Sequence, residues 1–264
     1  MVPVYVPPEV WEFKKRIAGV RPTSGARHER ELPRGKHELQ LYTLGTPNGC
    51  KASILLEELH DVIGVEYDGW RVSLVDGDQY GSEFVKMCPS SHIPLLVDRG
   101  VDPPIRVFES GAIVVYLVEK FGFYMPKESP VECTNWIFWG HAVGPVFANF
   151  GHFFCTTKIR DAIDYFACET KRFLAVLDLH LQDRRYVCGD EYTAADMVIF
   201  PMVRGLDVFY GAATFLALDD EYPEIKRWRT SVDTRAAVRR GLRVAGFGLD
   251  AIDERHEKKD FILP

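Results

Sequence analysis

Beyond residue 38 the chain switches between two hydrophobic periods, and the switches mark its elements. Leu39-Gln40-Leu41-Tyr42 has the character of a strand, and Ala52, Leu55, Leu56 and Leu59 recur at helical spacing in a segment from Pro47 to about Val62. A second strand is predicted over Tyr67–Leu74, which completes a βαβ unit with a right-handed crossover. A polar loop, Val75–Tyr80, and a short helical turn near Glu83–Met87 follow. Pro94 lacks a donor and suits the mouth of a strand, Leu95–Asp98; Ile105–Phe108 is a further strand after the Asp102-Pro103-Pro104 turn. Glu109 and Ser110 then open a helix through Leu117, where an acid and a hydroxyl are favourable caps.

Residues 121–127 break the pattern, and beyond Ser129 every apolar repeat is helical. Apolar helical segments run from Trp136 to Phe150 and from Ile159 to Leu181, and Thr193-Ala194-Ala195-Asp196 is a capping box before a strongly apolar helix. Another helix starts at Tyr222-Pro223. The organisation expected is an N-terminal arm (1–37), an α/β domain (38–122), a linker (123–129), an all-α domain (130–248) and a charged, loosely held tail (249–264). The arm reads as extended chain laid over the surface or over a partner subunit, with a short helix possible near Glu9–Ala18.

Composition narrows the class. An apolar fraction of 47% and a charged fraction of 27% are those of a globular protein, and a net charge of -6 argues against a broad nucleic-acid surface. No apolar stretch has membrane-spanning length, and the Pro-rich N-terminus does not resemble a signal peptide, so the expected location is cytoplasmic. The six cysteines include no C-x-x-C pair and the eight histidines form no ligand-spaced cluster with them, so reduced thiols and no metal are expected.

One turn carries candidate chemistry. In Gly45-Thr46-Pro47-Asn48-Gly49-Cys50, Thr46 suits an N-cap and Pro47 the first helical position. Backbone donors at such a helix start can hold an anion beside the Thr and Asn side chains, or the turn can be no more than a well-made cap. Cys50, one turn in, is either a thiol activated by the helix dipole or a core residue. The Ile93–Pro94 bond is either an ordinary trans bond or a cis bond that frees the Ile93 backbone groups to pair with something extended.

Taken together, Leu41–Gly49, Gly77-Asp78-Gln79, Ile93-Pro94, the run Pro103–Gly111, Phe150-Gly151-His152-Phe153 and Gly189–Met197 resemble the glutathione transferase superfamily, and within it the nu-class, YghU-type disulfide-bond reductases. The resemblance covers residues 35–246 and implies a thioredoxin-like βαβ-ββα domain followed by a helical bundle. It implies that Thr46 and Asn48 face the sulfur of bound glutathione in place of a Tyr, Ser or Cys, that Ile93 beside Pro94 pairs through its backbone with the cysteinyl unit, and that Gln79, Glu109 and Ser110 hold the γ-glutamyl end. It also implies a homodimer, with the arm able to reach the partner's cleft.

Two positions depart from the family pattern: Tyr165 stands where an Arg is usual, and Gly140-His141 follows Phe138-Trp139 where a Gln is usual. Both belong to the side expected to hold a second thiol or the substrate, and Tyr offers one hydroxyl where Arg offers a bidentate fork. A related low-molecular-weight thiol, such as a polyamine conjugate of glutathione, would not need that Arg. The activity implied is glutathione-dependent reduction of a disulfide. The alternatives are transferase or peroxidase chemistry on electrophiles or hydroperoxides, and a non-catalytic glutathione-binding module.

Overall fold

The computed structural model describes residues 23–261. Four strands, β1 (Leu39–Thr43), β2 (Tyr67–Arg71), β3 (Leu95–Asp98) and β4 (Ile105–Phe108), form one mixed sheet in the order β2-β1-β3-β4. β1 pairs parallel with β2 and antiparallel with β3, and β3 pairs antiparallel with β4. Leu41 stands opposite Gly69 on one side and Leu96 on the other. The helices are α1 (Pro47–Ile63), α2 (Ser82–Met87), α3 (Ser110–Phe121), α4 (Pro130–His152), α5 (Arg160–His180), α6 (Ala194–Val208), α7 (Pro223–Asp233) and α8 (Ala236–Arg243).

The second strand is shorter than the hydrophobic pattern predicts. It ends at Arg71 because Asp78 Oδ2 accepts the Ser73 N–H at 3.0 Å and folds the next residues into a turn. The helix expected to open at Glu109 starts one residue later. Glu109 lies outside it with φ +73°, a left-handed conformation unusual for a residue with a β-carbon.

The described chain divides into two compact units. The first contains the described residues up to Leu44, Glu66–Glu109 and those from Val244 on. One core cluster of this unit gathers Tyr42, Val72, Phe84, Cys88, Leu95 and Val97. The described part of the arm lies on its own chain: Arg27 and His28 exchange backbone hydrogen bonds with Tyr80 and Ser82, and the Arg27 guanidinium covers the Tyr80 ring at 3.4 Å. The helix expected near Glu9–Ala18 falls outside the described residues.

The tail is not loosely held. Gly69 and Arg255 exchange backbone hydrogen bonds of 2.7 and 2.9 Å, so the tail pairs with the outer edge of β2. Gly69 keeps this approach close: a Cβ there would lie 3.1 Å from Val244 Cγ1 and 3.4 Å from Arg255 Cβ, so those side chains would have to give way by a few tenths of an ångström. Arg255 is fully buried, donates to Glu66 at 2.6 Å and to the Tyr67 carbonyl at 2.8 Å, and covers the Tyr67 ring at 4.1 Å. Composition marks the tail as charged; that one of its cations finds this set of partners is a tertiary fact.

The second unit contains Gly45–Val65 and Ser110–Arg243. Here α1 packs against α3, α6 and α8, and α4 against α5 and α6. α1 is buried on nearly every side over its first three turns, its charged side chains included. Glu58 receives a bidentate pair from Arg235 at 2.6 and 2.7 Å, and Glu57 receives Arg240 at 2.7 Å. The approach of α8 requires Gly241, whose missing Cβ would stand 2.6 Å from the Ile54 backbone; the Gly241 carbonyl instead accepts the Ser53 hydroxyl at 2.7 Å.

Two outcomes follow from these contacts. Arg235→Met strands Glu58 in the interior and should cost about 2–3 kcal/mol in urea unfolding, below the ~3–5 of a fully enclosed pair because 32% of the Arg235 side chain stays exposed. The second concerns pH. Burial opposes the charged forms of His256 and Asp68, but His256 hydrogen-bonds Asp68 and Glu254, while Asp68 also accepts from His37 and Gln40; His256 is thereby raised and Asp68 lowered. The His256 contribution is present below about pH 6.5 and lost as pH rises through its raised value, and that of Asp68 is present above about pH 4 and lost as pH falls through its lowered value. Amide protection at Gly69 should therefore peak between those limits in hydrogen exchange.

Candidate functional site

The turn from β1 into α1 has the local geometry its residues dictate. Thr46 takes extended dihedrals (φ -76°, ψ 163°), and its hydroxyl oxygen accepts the Gly49 N–H at 3.3 Å, with Pro47 opening the helix. Capping uses only a lone pair of that oxygen, so the Thr46 O–H stays able to donate. Asn48 is exposed and its amide is oriented by Lys51, whose ammonium donates to Oδ1 at 2.9 Å. With Oδ1 engaged, the Asn48 NH2 group is the end left to meet a ligand. Lys51 itself is 1% exposed, so this bond also partners a buried cation. The sequence reading does not single out Lys51; its spacing of three from Asn48 on one helix is the signal that was there to use.

Cys50 lies in the same stretch but does not join this chemistry. Its side chain is buried, and burial pushes its thiol up to about 12 against the opposing charge of Arg204. Of the two readings of Cys50, the burial supports the core residue. Desolvation exceeds what a helix start offers a thiolate.

α3 begins at Ser110, which is 3% exposed. His141, from α4, faces this helix start: the position of a Cβ on Gly111 would lie 3.5 Å from His141 Nδ1. Tyr165 is 65% exposed on α5, edge-on to Phe166 with ring centroids 5.2 Å apart. Thr46, Asn48, Ser110, His141 and Tyr165 all belong to the second unit.

Gln79, Ile93, Pro94 and Glu109 belong to the first unit. Gln79 sits in a single helical turn, Asp78–Tyr80, is 3% exposed, and its Oε1 makes no hydrogen bond among the described residues. A buried amide oxygen without a protein donor costs free energy unless a ligand supplies one, so Gln79 fits an ammonium or amide partner. Ile93 precedes a cis Pro94 at the entrance to β3, and Asp102–Pro103 is cis as well. Glu109 presents an exposed carboxylate from its left-handed position, the kind of backbone outlier that clusters at ligand sites. Among the described residues there is no group of three or more His, Cys, Asp or Glu able to hold a metal, and no helix is long and apolar enough to cross a membrane.

The thiol environments give a direct check. In the folded protein at neutral pH, iodoacetamide should alkylate the exposed Cys155 and Cys168 well before Cys50, as read by peptide mapping; early labelling of Cys50 would reverse its assignment to the core.

Comparison with known proteins places this geometry. Residues 37–119 match the model of the glutathione S-transferase N-terminal domain, and residues 169–231 match that of the C-terminal domain. The chain is 46% identical to the disulfide-bond oxidoreductase YghU of Escherichia coli, over 97% of this chain and 95% of that one. The crystal structure of a glutathione transferase YghU from Streptococcus pneumoniae, complexed with glutathione, superimposes with a TM-score of 0.82 at 40% identity, covering 92% of this chain and 99% of that chain. A glutathione transferase from Burkholderia graminis with two glutathione molecules bound per subunit gives a TM-score of 0.74 at 36% identity, over 78% and 88% of the two chains. The domain models match in order, and the YghU match runs almost end to end; the chain belongs to the glutathione S-transferase family.

Proposed function

We propose that this protein is a glutathione-dependent disulfide-bond reductase in which bound glutathione, not a protein cysteine, supplies the attacking thiolate. The observation that carries the reading is the pair of donors at the start of α1. The Thr46 O–H and the Asn48 NH2 group remain to donate because their acceptor atoms are engaged by Gly49 and Lys51. Two donors beside the positive end of a 17-residue helix favour thiolate over thiol. Cys50, the one cysteine nearby in sequence, is in the core with its thiol pushed up to about 12.

Glutathione would be held by Gln79, Glu109 and Ser110 at its γ-glutamyl end, and by the Ile93 backbone beside Pro94 at its cysteinyl unit. The orphaned Gln79 Oε1 supports the first of these assignments. The bound thiolate attacks one sulfur of the substrate disulfide, forming a mixed disulfide and releasing the other half as a thiolate that takes up a proton. A second glutathione thiolate then attacks the glutathione sulfur of the mixed disulfide, giving glutathione disulfide and the second substrate thiol. His141 and Tyr165 are assigned to the side of that second thiol, and the two glutathione molecules bound to the Burkholderia graminis relative support a two-thiol cycle. The homodimer is supported by apolar side chains left exposed on α4 (Val131, Phe138) and α5 (Val176, Leu179). A reducing cytoplasm suits a chain with unpaired cysteines.

Turnover of a model disulfide with glutathione tests the reading. Thr46→Ala and Asn48→Ala should each lower kcat/KM by about 10- to 100-fold, the scale of losing one donor to a developing anion. Thr46→Ser should recover most of the loss, and Cys50→Ser should leave the rate within about twofold, since a residue outside the reacting atoms contributes no donor. Complete loss of turnover in Cys50→Ser would instead place the chemistry on the protein thiol. Assays with a hydroperoxide and an aryl halide beside the disulfide rank the competing reactions, and light scattering measures the dimer.

A further inference from the structure

Three cations outside the proposed glutathione site line one cavity of the helical unit with hydrogen-bond donors unspent. Phe200, Arg204 and Val208 stand four residues apart on α6, with Asp207 three from Arg204, so they share a helix face. Lys226, Arg229 and Asp233 share a face of α7 in the same way. Together with Arg239 of α8, the two faces line a cavity of about 420 Å³.

The carboxylates at this cavity leave most of the cations unanswered. Asp207 accepts from Arg229 Nη2 at 2.9 Å. Asp219 Oδ1 stands 3.6 Å from Arg229 Nη1, and Asp233 Oδ1 stands 3.9 Å from Arg204 Nε; both are too long for a hydrogen bond. The Arg204 side chain is only 33% exposed, yet among the described residues its guanidinium makes no hydrogen bond. The Lys226 ammonium has no hydrogen bond or ion pair among the described residues. Arg239 spends only Nε, on the Asp233 carbonyl at 2.8 Å. A guanidinium that loses much of its hydration without gaining an acceptor is costly, and an anion in the cavity would supply one.

We propose that this cavity is a binding site for a small organic phosphate. Arg204 presents its planar fork to two phosphoryl oxygens, and Lys226 and the terminal nitrogens of Arg239 meet the remaining charge. A phosphoryl group suits this set better than a carboxylate, because it offers three oxygens and nearly two charges at neutral pH. The volume falls in the range of about 300–1,000 Å³ usual for small-molecule sites, so there is room for an organic part beside the oxyanion. Phe200 and Val208 give that part an apolar wall. Asp233 competes with the ligand for Arg204 and moderates its affinity. The site uses no residue assigned to glutathione, so it stands or falls apart from the reductase reading.

Calorimetric titration of the full chain with phenyl phosphate, at low ionic strength and with and without saturating glutathione, tests the proposal. One molecule should bind per chain in both conditions, more tightly than inorganic phosphate or benzoate, and more weakly as salt is raised. Arg204→Gln should lower the affinity about tenfold or more, the scale of losing a charge-assisted hydrogen bond. Lys226→Gln, at an exposed position, should lower it about 2- to 5-fold, and Asp233→Asn should raise it by a similar factor. Absence of binding to the wild-type chain, loss of binding when glutathione is present, or an affinity unchanged by both Arg204→Gln and Lys226→Gln would overturn the proposal. Inorganic phosphate or benzoate binding as tightly as phenyl phosphate would overturn it as well, since the cavity would then not select an organic phosphate.

Discussion

The second unit depends on burying a helix that carries charge. α1 is enclosed over its first three turns although its sequence includes Lys51, Glu57 and Glu58. A buried charge without a partner costs more than packing around it returns, so each needs an answering group within the fold. Arg235 and Arg240 answer the glutamates, and Asn48 helps to answer the lysine. These pairs fix α1 against α8 at a separation that only Gly241 permits. The helix whose start carries Thr46 and Asn48 is held by partners far along the chain.

That rigidity bears on the proposed function, in which thiolate stabilisation would rest on which end of each polar side chain faces out. A hydroxyl and an amide can each donate or accept. Gly49 and Lys51 take the acceptor atoms and leave the donors. Preorganised donors avoid the reorganisation that water would undergo as charge forms on sulfur, the usual source of an electrostatic advantage in an enclosed site. On this account Lys51 acts through Asn48, and α1 itself supplies the dipole.

A third buried acid organises another part of the same unit. Asp196 reads in the sequence as one half of a capping box. It accepts the Thr193 N–H as such a residue should, but its carboxylate also takes the Val187 N–H and the Trp228 indole N–H. One side chain therefore joins the α6 start, the turn bearing Cys188 and the core of α7.

Much of this was legible in the linear chain. The strand before Gly45, the helix from Pro47, the proline at the mouth of β3 and the capping box at Thr193 depend on local periodicity and on the dihedral needs of Thr, Pro and Gly, which a sequence displays directly. The candidates Thr46, Asn48, Gln79, Ile93, Glu109 and Ser110 were legible as motif text. What local pattern could not reveal was set by contacts between distant residues. The end of β2 depends on the reach of Asp78, and the docking of the tail depends on a pocket that takes one particular arginine. Cys50 joined the core although its place at a helix start suggested activation, because burial outweighs a dipole. Local sequence determined which elements form; tertiary structure decided which charges and thiols are buried and which atoms are left to donate, because each depends on contacts with residues elsewhere in the fold.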